Sequence, residues 1–517
     1  VPIGGQQDFA EVEAPGATVP TYATEIPSGD PVVGSSAAAS VRRGIERAAA
    51  SQTGIALEGD PRLAEVAAWI AERLGPDGEP PPTEVVEFLA RHRGLVEPVP
   101  HIVVLGQPPD ILEEGIASSV RQFMQRQTYN RFGAAVVERG ALSVAVVLLS
   151  WRWVELTPVP RRVEAGTPLT VRGRLLGDHR NPTVVVAAPD GQVRRLPAGS
   201  GPELDVRVPT ASPGVYQVEL LGRGVHGDTV VANFPVYVGQ EIPHRVRFDR
   251  AVESGGRDVD SVRRELFELI ASTRRQAGLS ELREHDGLRE VALAHSRDMV
   301  ENDFIGHSSP RTGSPADRVR AASLTSGLVL ENIGRGYGAL EIHRGLMDSP
   351  GHRANILNPD VTHVGIGVVA QPEGGRNAFV VTQVFTRMGE RLDVSTAPAR
   401  VLELVNRARS ARGAPPLVAE APLAEAAQRA ADHFFADPQL TQQDVVDEAS
   451  GALRRFAIAY RRIGGVMAVV STLDEAGALE PTLDADVRVV GVGVAQGSRP
   501  DTGPNAIAVV FVLGWPR

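Results

Sequence analysis

Residues 362–385 read "THVGIGVVAQPEGGRNAFVVTQVF": two apolar runs joined by a Gly-rich turn. A β-branched run of this length, broken by turn residues and resumed, predicts an antiparallel pair of buried strands. The pattern returns near the C-terminus as "RVVGVGVAQGSRPDTGPNAIAVVFVL" (Arg488 to Leu513). A looser copy, "NRFGAAVVERGALSVAVVLLSW", runs from Asn130 to Trp151.

Working outward, each strand pair is preceded by a helical paragraph. The three open with "SVRRGIERAAASQTGIALEGDPRLAEVAAWIAERL" from Ser40, "SVRRELFELIASTRRQAGLSELREHDGLREVALAHSRDM" from Ser261 and "ARVLELVNRARSARGAPPLVAEAPLAEAAQRAADHF" from Ala399. Each is an amphipathic helix, a short Gly-containing turn and a second amphipathic helix. In the middle copy Leu288, Val291, Ala292, His295 and Met299 follow the i, i+3, i+4, i+7 spacing that turns one face inward. Helices first and an antiparallel pair last predict an α/β/α layered unit of about 120 residues, present three times.

Between the first two copies the period changes. "RRVEAGTPLTVRGRLLG", "PTVVVAAPDGQVRRL", "LDVRVPTASPGVYQVELLG" and "VVANFPVYVG" are short strands separated by Pro189-Asp190-Gly191 and Ser212-Pro213-Gly214. They predict a β-sandwich that resembles an immunoglobulin-like domain without its Cys/Trp hallmark. The expected fold class is therefore α+β multidomain, with α/β/α sandwiches and one all-β sandwich. The expected boundaries are a Pro/Gly/Ser/Ala-rich flexible tether at 1–39, units at 40–156, 157–241 and 257–389, and a last unit at 397–517.

Composition removes several chemistries. A formal charge of -10 argues against a nucleic-acid partner, which calls for a basic face. There is no cysteine, hence no disulfide, thiolate nucleophile or thiolate metal site. There is also no lysine, so Schiff-base and P-loop chemistry are absent. HExxH and GxSxG motifs are missing as well. The most apolar run, Gly140 to Trp151, is shorter than the ~20 residues a membrane helix needs and reads as a buried strand. No signal peptide is visible. The Pro/Gly/Thr-rich start at Val1 is how an exported protein would look after leader removal, and a secreted or cell-envelope location is the expectation. A cytosolic protein lacking its initiator methionine is the alternative.

Chemistry, if present, must come from His, Asp, Glu, Ser, Thr, Tyr and Arg. Of twelve histidines, six (His285, His295, His307, His343, His352 and His363) fall between 285 and 363, where an even spread would put about two. By register from Leu288 to Leu423, His307 should fall near Gln442 of the last copy. Neither outer copy contains a counterpart of "ENI" (331–333) or "GHR" (351–353). The scaffold recurs while the polar set occurs once, which marks His307, Glu331 and His352 as the candidate site.

"LFELIASTRRQAGL", "LREVALAHSRDM", "DFIGHSSP", "ENIG", "MDSPGHRANILNPDVTHVGIGVV" and "FVVTQVF" occur in that order. Together they resemble the CAP superfamily (SCP, or cysteine-rich secretory protein-like) in a cysteine-free bacterial branch, over about 258–388. The flanking copies resemble the same fold with the site erased. The resemblance implies a cleft holding two histidines and one or two acidic residues, carried here by His307, His352 and Glu331. Where the family has a glycine before the ENI glutamate this chain has Leu330, and where it has a tryptophan before the Ser-Pro-Gly-His stretch it has Leu346. The further acidic position has only Asp348 or Ser349 nearby.

Some members of the family bind a divalent metal, so Zn²⁺ at His307 and His352 is an open expectation, with Glu331 orienting an imidazole or taking a proton. Two imidazoles without a clear third ligand point to weak binding rather than a structural site. His363, Asn332 and Ser349 are further candidates for lining the cleft, although Asn332 and Asn355 also suit backbone hydrogen bonding. His295 on the inward helix face reads as a core histidine, His343 as packed or exposed, and Arg318 as a loop anchor after the Ser314-Pro315 helix start.

Three function classes compete. One is an extracellular module binding a lipid, glycan, peptide or protein ligand. The second is a His/Glu hydrolase of peptide or cell-wall material, with those three residues catalytic. The third is a structural surface protein with a relic cleft. The binding module is the favoured expectation.

Overall fold

The computed structural model describes residues 11–50, 56–74, 78, 80–125, 127–248, 258–324, 326, 328–373, 376–388, 392–451, 460–470, 472–499 and 501–516. It is a mixed α+β, multidomain molecule in which two four-stranded sheets and one five-stranded sheet follow a similar path. In the central unit the strands run Arg283–Glu284, His363–Glu373, Arg376–Thr386, Val329–Gly336. In the last unit the order is Val418–Ala419, Val489–Arg499, Gly503–Pro516, Tyr460–Val470. In the first it is Val32–Gly34, Arg131–Arg139, Leu142–Ser150, His101–Gln107, with Glu58–Gly59 also paired to the second strand.

Strand alternation explains the layering of the central unit. Val364, Ile366 and Val368 face one way and join Val262, Leu266 and Ile270 of helix Val259–Gln276 and Ile342 and Leu346 of helix Ala339–Asp348 in one core. The intervening residues, Gly365 and Gly367, face helix Asp286–Glu301. A Cβ on Gly365 would lie 2.2 Å from the Leu288 carbonyl carbon, and one on Gly367 would lie 2.1 Å from the Leu293 nitrogen. Only glycine lets this helix backbone rest directly on the sheet. The last unit repeats the device: Gly491 and Gly493 would each meet helix Ala421–Ala436 at 2.0–2.2 Å. In the first unit Gly133 would meet the Ala64 nitrogen at 2.3 Å. The helix starts agree with their sequences. Asp60 and Asp258 cap by side chain, and Ser314 forms a capping box with Asp317 ahead of Pro315.

A second repeated device was not expected. Arg274 and Arg409, both fully buried near the ends of their helices, gather carbonyl oxygens from the turn that follows and from a segment more than seventy residues further on. Arg274 binds Ser280, Ile356 and Asn358, and Arg409 binds Pro415, Thr482, Asp484 and Val487, all at 2.6–3.0 Å. Each guanidinium satisfies loop carbonyls that would otherwise be buried without partners.

The β-rich unit consists of a five-stranded and a three-stranded sheet that share one core, which includes Val171, Val184, Val218, Phe234 and Val236. Strand Val154–Leu156 belongs to the smaller sheet, so the unit begins a few residues before the expected position 157. The expected tether is corrected more substantially. Residues 11–38 are built into the molecule: Glu11–Glu13 pairs with Arg245–Arg247, Thr21–Tyr22 with Val159–Pro160, and Val32–Gly34 with Ala134–Val136. Tyr22 is fully buried and donates to the Pro235 carbonyl at 2.7 Å. Strands of two or three residues leave no periodicity to read. The N-terminal part of that segment, residues 1–10, lies outside the described residues.

Gly140 to Trp151 contributes the buried strand Leu142–Ser150. Among the described residues no helix is long and apolar enough to cross a membrane. The first unit packs on the central one through Arg344–Glu84 at 2.7 Å and through Tyr337, whose hydroxyl donates to Glu373 at 2.8 Å and meets His101 at 3.3 Å.

Candidate functional site

The site is organised by strand Val329–Gly336, which lies at the edge of the central sheet. Successive residues on a strand point to opposite faces, so Glu331 and Asn332 reach around both sides of that edge. Glu331 is almost wholly buried and accepts from His307 Nδ1 at 2.9 Å and from the Arg318 guanidinium at 2.6 Å. Arg318 also donates to the carbonyls of His307 at 3.1 Å and Gly313 at 2.7 Å. One arginine thus fixes both the carboxylate and the loop that carries His307.

On the other side, Asn332 is fully buried and donates to the His352 carbonyl and to Gln383 Oε1, both at 3.2 Å. Asn355 donates to Asn332 Oδ1 at 2.9 Å and to the Glu331 carbonyl at 3.1 Å. These amides hold the short helix Pro350–Ile356, and with it His352, against the same strand. His307 arrives from one face and His352 from the other, and their ring centroids stand 6.4 Å apart.

The two imidazoles differ electrically. With its Nδ1 proton held by the Glu331 carboxylate, His307 presents the Nε2 lone pair, and its side chain keeps 27% of its exposure. His352 is driven towards its neutral form, its pKa pushed down by burial and then by the neighbouring His307 and Arg195. Among the described residues its ring makes no hydrogen bond. Two imidazoles therefore stand side by side with lone pairs to offer.

His295 sits beneath them. It is 1% exposed and bonds the Gly306 carbonyl at 3.0 Å, and its Nε2 lies 3.9 Å from Glu331. Its core reading holds, but it also forms the floor under the carboxylate. Ser309 is locked by Asp298 at 2.5 Å and caps the backbone of Arg311 and Thr312, so it is a loop brace and not a nucleophile.

His363 is not brought to the site. It begins its strand two strands away from Glu331, faces His285 with centroids 6.0 Å apart and meets Thr362 at 2.9 Å. The expectation that it lines the cleft is corrected: the sequence order of the strands hid the fact that the edge strand, and not this one, carries the site. Ser349 lies beside the cleft as the N-cap of the His352 helix, bonded to Glu219 of the β-rich unit. Glu219 and His226 from that unit are neighbours that the sequence reading missed.

Zinc fits this arrangement poorly. Among the described residues no three His, Asp or Glu side chains are grouped to hold a metal ion. Glu331, the one carboxylate bonded to either imidazole, is already neutralised by Arg318. A small cavity of about 30 Å³ lined by Phe123, Tyr129, Phe304, Arg335 and Glu373 lies at the junction with the first unit. Arg335 and Glu373 pair with each other there, and neither imidazole lines it.

Register identifies what stands on the same rungs elsewhere. Aligning Gly365 with Gly133 and Gly491 places Ile102 and Gly465 at the rung of Glu331, and Val103 and Val466 at that of Asn332. Gln383 corresponds to Val147 and Phe511 by the same ladders. Counting from Leu288, Leu63 and Leu423, His295 corresponds to Ile70 and Ala430. The expected Gln442 counterpart of His307 opens a helix, Gln442–Gly451.

Residues 267–385 and 402–513 match the model of CAP, the cysteine-rich secretory protein family, so both segments are CAP/SCP domains. The "Uncharacterized protein YkwD" of Bacillus subtilis (strain 168) is 36% identical over 112 residues, 22% of this chain and 44% of that protein. The "Uncharacterized membrane protein YlbC" of the same strain is 36% identical over 107 residues, 20% of this chain and 31% of that protein. The chain thus spans less than half the length of either curated relative. Among solved structures, an extracellular protein containing a SCP domain from Bacillus anthracis str. Ames aligns at 17% identity and a TM-score of 0.23, over 46% of this chain and 86% of that one.

Proposed function

We propose that this chain, with its CAP/SCP domains at 267–385 and 402–513, is an extracellular binding protein whose ligand is held in the hollow between His307 and His352. One observation carries the reading: two imidazoles converge beside a sheet edge, held by Glu331 and Asn332 at rungs where the other units carry apolar residues or glycine. A buried carboxylate with its own arginine is an expensive way to hold one histidine, and its cost is intelligible if that ring must be aimed. The ligand class that suits these lone pairs is a hydrogen-bond donor: a glycan hydroxyl, a peptide amide or a lipid headgroup of the same kind.

On this reading residues 40–152 are a CAP-like unit whose site has been lost, the last unit is a second such copy, and the β-rich unit is an immunoglobulin-like sandwich. The test is binding of the full chain to a panel of peptidoglycan fragments, lipid vesicles and peptides. A ligand retained by the wild type and lost in His307→Ala and His352→Ala, with thermal stability intact, supports the reading. A ligand retained by both variants removes it.

The His307–Glu331 pair favours a second reading, a hydrolase in which His307 Nε2 acts as general base on a water in the hollow. Turnover of a panel member that Glu331→Gln abolishes while binding persists would favour it. No step is routed through a metal.

A further inference from the structure

The cleft has a neighbour within the same chain. Strands Gly214–Gly224 and Gly227–Val238 of the β-rich unit form a hairpin with Val225 and His226 at its tip. The tip lies on the His307 loop. The His226 ring stacks on Phe304 at 4.6 Å, its Nδ1 meets the Ser308 carbonyl at 3.2 Å, and its own carbonyl accepts from the Ser308 amide at 2.9 Å. The fit is close: a Cβ on Gly306 would come within 2.5 Å of His226 Cβ, and one on Gly227 within 3.5 Å of His307 Cβ.

Five residues back along the strand from Gly224, roughly 17 Å, the same sheet grips the His352 side. Glu219, fully buried, accepts from the Ser349 hydroxyl and from the Gly351 amide at 3.2 Å. Asn233, its ladder partner, donates to the Asp348 carbonyl at 3.3 Å. Helix Pro350–Ile356 packs on strands Arg180–Ala187, Val193–Pro197 and Gly214–Gly224. One hairpin therefore spans both loops that carry the imidazoles.

We infer that the β-rich unit is a tethered cover of the histidine cleft: its hairpin pins the His307 loop through His226 and the His352 loop through Glu219, and a ligand reaches the pair when the Glu219 latch lets go. The inference rests on His307 and His352 forming the functional site. Its geometry suits a latch because one carboxylate holds both the Ser349 hydroxyl and the Gly351 amide, while the remaining polar contact on that side is the single Asn233–Asp348 bond. Burial pushes that carboxyl towards its neutral form while Ser349, Gly351 and Arg195 oppose the shift.

Diethyl pyrocarbonate labelling of the full chain, mapped by peptide mass spectrometry, reads the access of each imidazole directly and needs no ligand. Glu219→Gln, Glu219→Ala and His226→Ala are compared with the wild type. A fourth protein, Gly227→Cys with Ser308→Cys, locks the tip by a disulfide. A Cβ at 227 would sit 3.3 Å from Ser308 Oγ and the chain has no other cysteine; Gly227 has φ +95°, so the reduced form of the same protein serves as the control for the strain of a side chain there.

The expected result is labelling of His352 at least tenfold faster in Glu219→Ala, a smaller rise in Glu219→Gln and His226→Ala, and no rise in the oxidised lock. His295 and His343, buried in the core, stay unreactive throughout. Equal rates in all five proteins overturn the inference, and so does a rise shared by His295 and His343, which would signal general unfolding. Because the readout is labelling and not binding, a failure of the ligand panel leaves this result standing on its own.

Discussion

Removing the Glu331 carboxylate tests the core of the site most severely. Glu331→Ala would leave the Arg318 guanidinium, itself 6% exposed, without its only carboxylate. Breaking a buried pair on one side costs about 3–5 kcal/mol, since the surviving charge stays desolvated. Arg318 retains two carbonyl acceptors, His307 and Gly313, which places the loss near the lower end, about 3 kcal/mol. Arg318→Met should cost a similar amount. The double variant should lose about 2 kcal/mol less than the sum, because neither group is left alone. The chain is multidomain and does not unfold as one two-state system. The assay is therefore native-state hydrogen exchange, read at the amides of strands Val329–Gly336 and Arg376–Thr386. Losses that add to within about 0.5 kcal/mol would refute the coupling, and a loss under about 1 kcal/mol for Glu331→Ala would refute the pair itself.

Other consequences follow from the same contacts. Gly367→Ala places a methyl 2.1 Å from the Leu293 nitrogen and should cost more than about 3 kcal/mol, above the usual range for overpacking because backbone must move; differential scanning calorimetry of it and of Gly493→Ala should show a separate lowered transition for each unit. Arg409→Met strips acceptable donors from four carbonyls and should lower the transition of the last unit by a similar amount while leaving the exchange of the central sheet unchanged. Acid should weaken the central unit. His343 is 5% exposed, and burial, then Arg344, brings its pKa to about 4, so between pH 6.5 and 4 the unfolded chain takes up a proton that the native state refuses. Stability is present in full above pH 6.5 and should fall by about 3 kcal/mol as pH drops to 4, a slope that urea titrations at stepped pH should find reduced in His343→Gln.

Much of the architecture could be read along the chain because it is local. Leu288 to Met299 show their buried face in a single helix, and the strand pairs show theirs in consecutive residues. Repetition did the rest: a polar set occurring once on a scaffold occurring three times pointed to Glu331, His307 and His352, which the fold brings together. What escaped depends on contacts far apart in sequence. The pairings of Glu11–Glu13 and Thr21–Tyr22 bridge more than a hundred residues through strands too short to carry a pattern. Glu219 lies in a strand whose local pattern says nothing of the unit that covers it. His363 begins a strand, as its sequence indicates, but that strand lies two away from strand Val329–Gly336, which carries Glu331. Arg274 and Arg409 occupy matching register positions in the two helical paragraphs, a signal that was present and went unused.

The central claim is that the ligand sits between His307 and His352 and nowhere else in the chain. A hydrogen-exchange footprint of the full chain, with and without the ligand found in the binding panel, reads it most directly. Protection concentrated in 304–309 and 349–355, and absent when both imidazoles are replaced by alanine, is the predicted pattern. Protection confined to the last unit, or to the β-rich unit away from its hairpin, would contradict it.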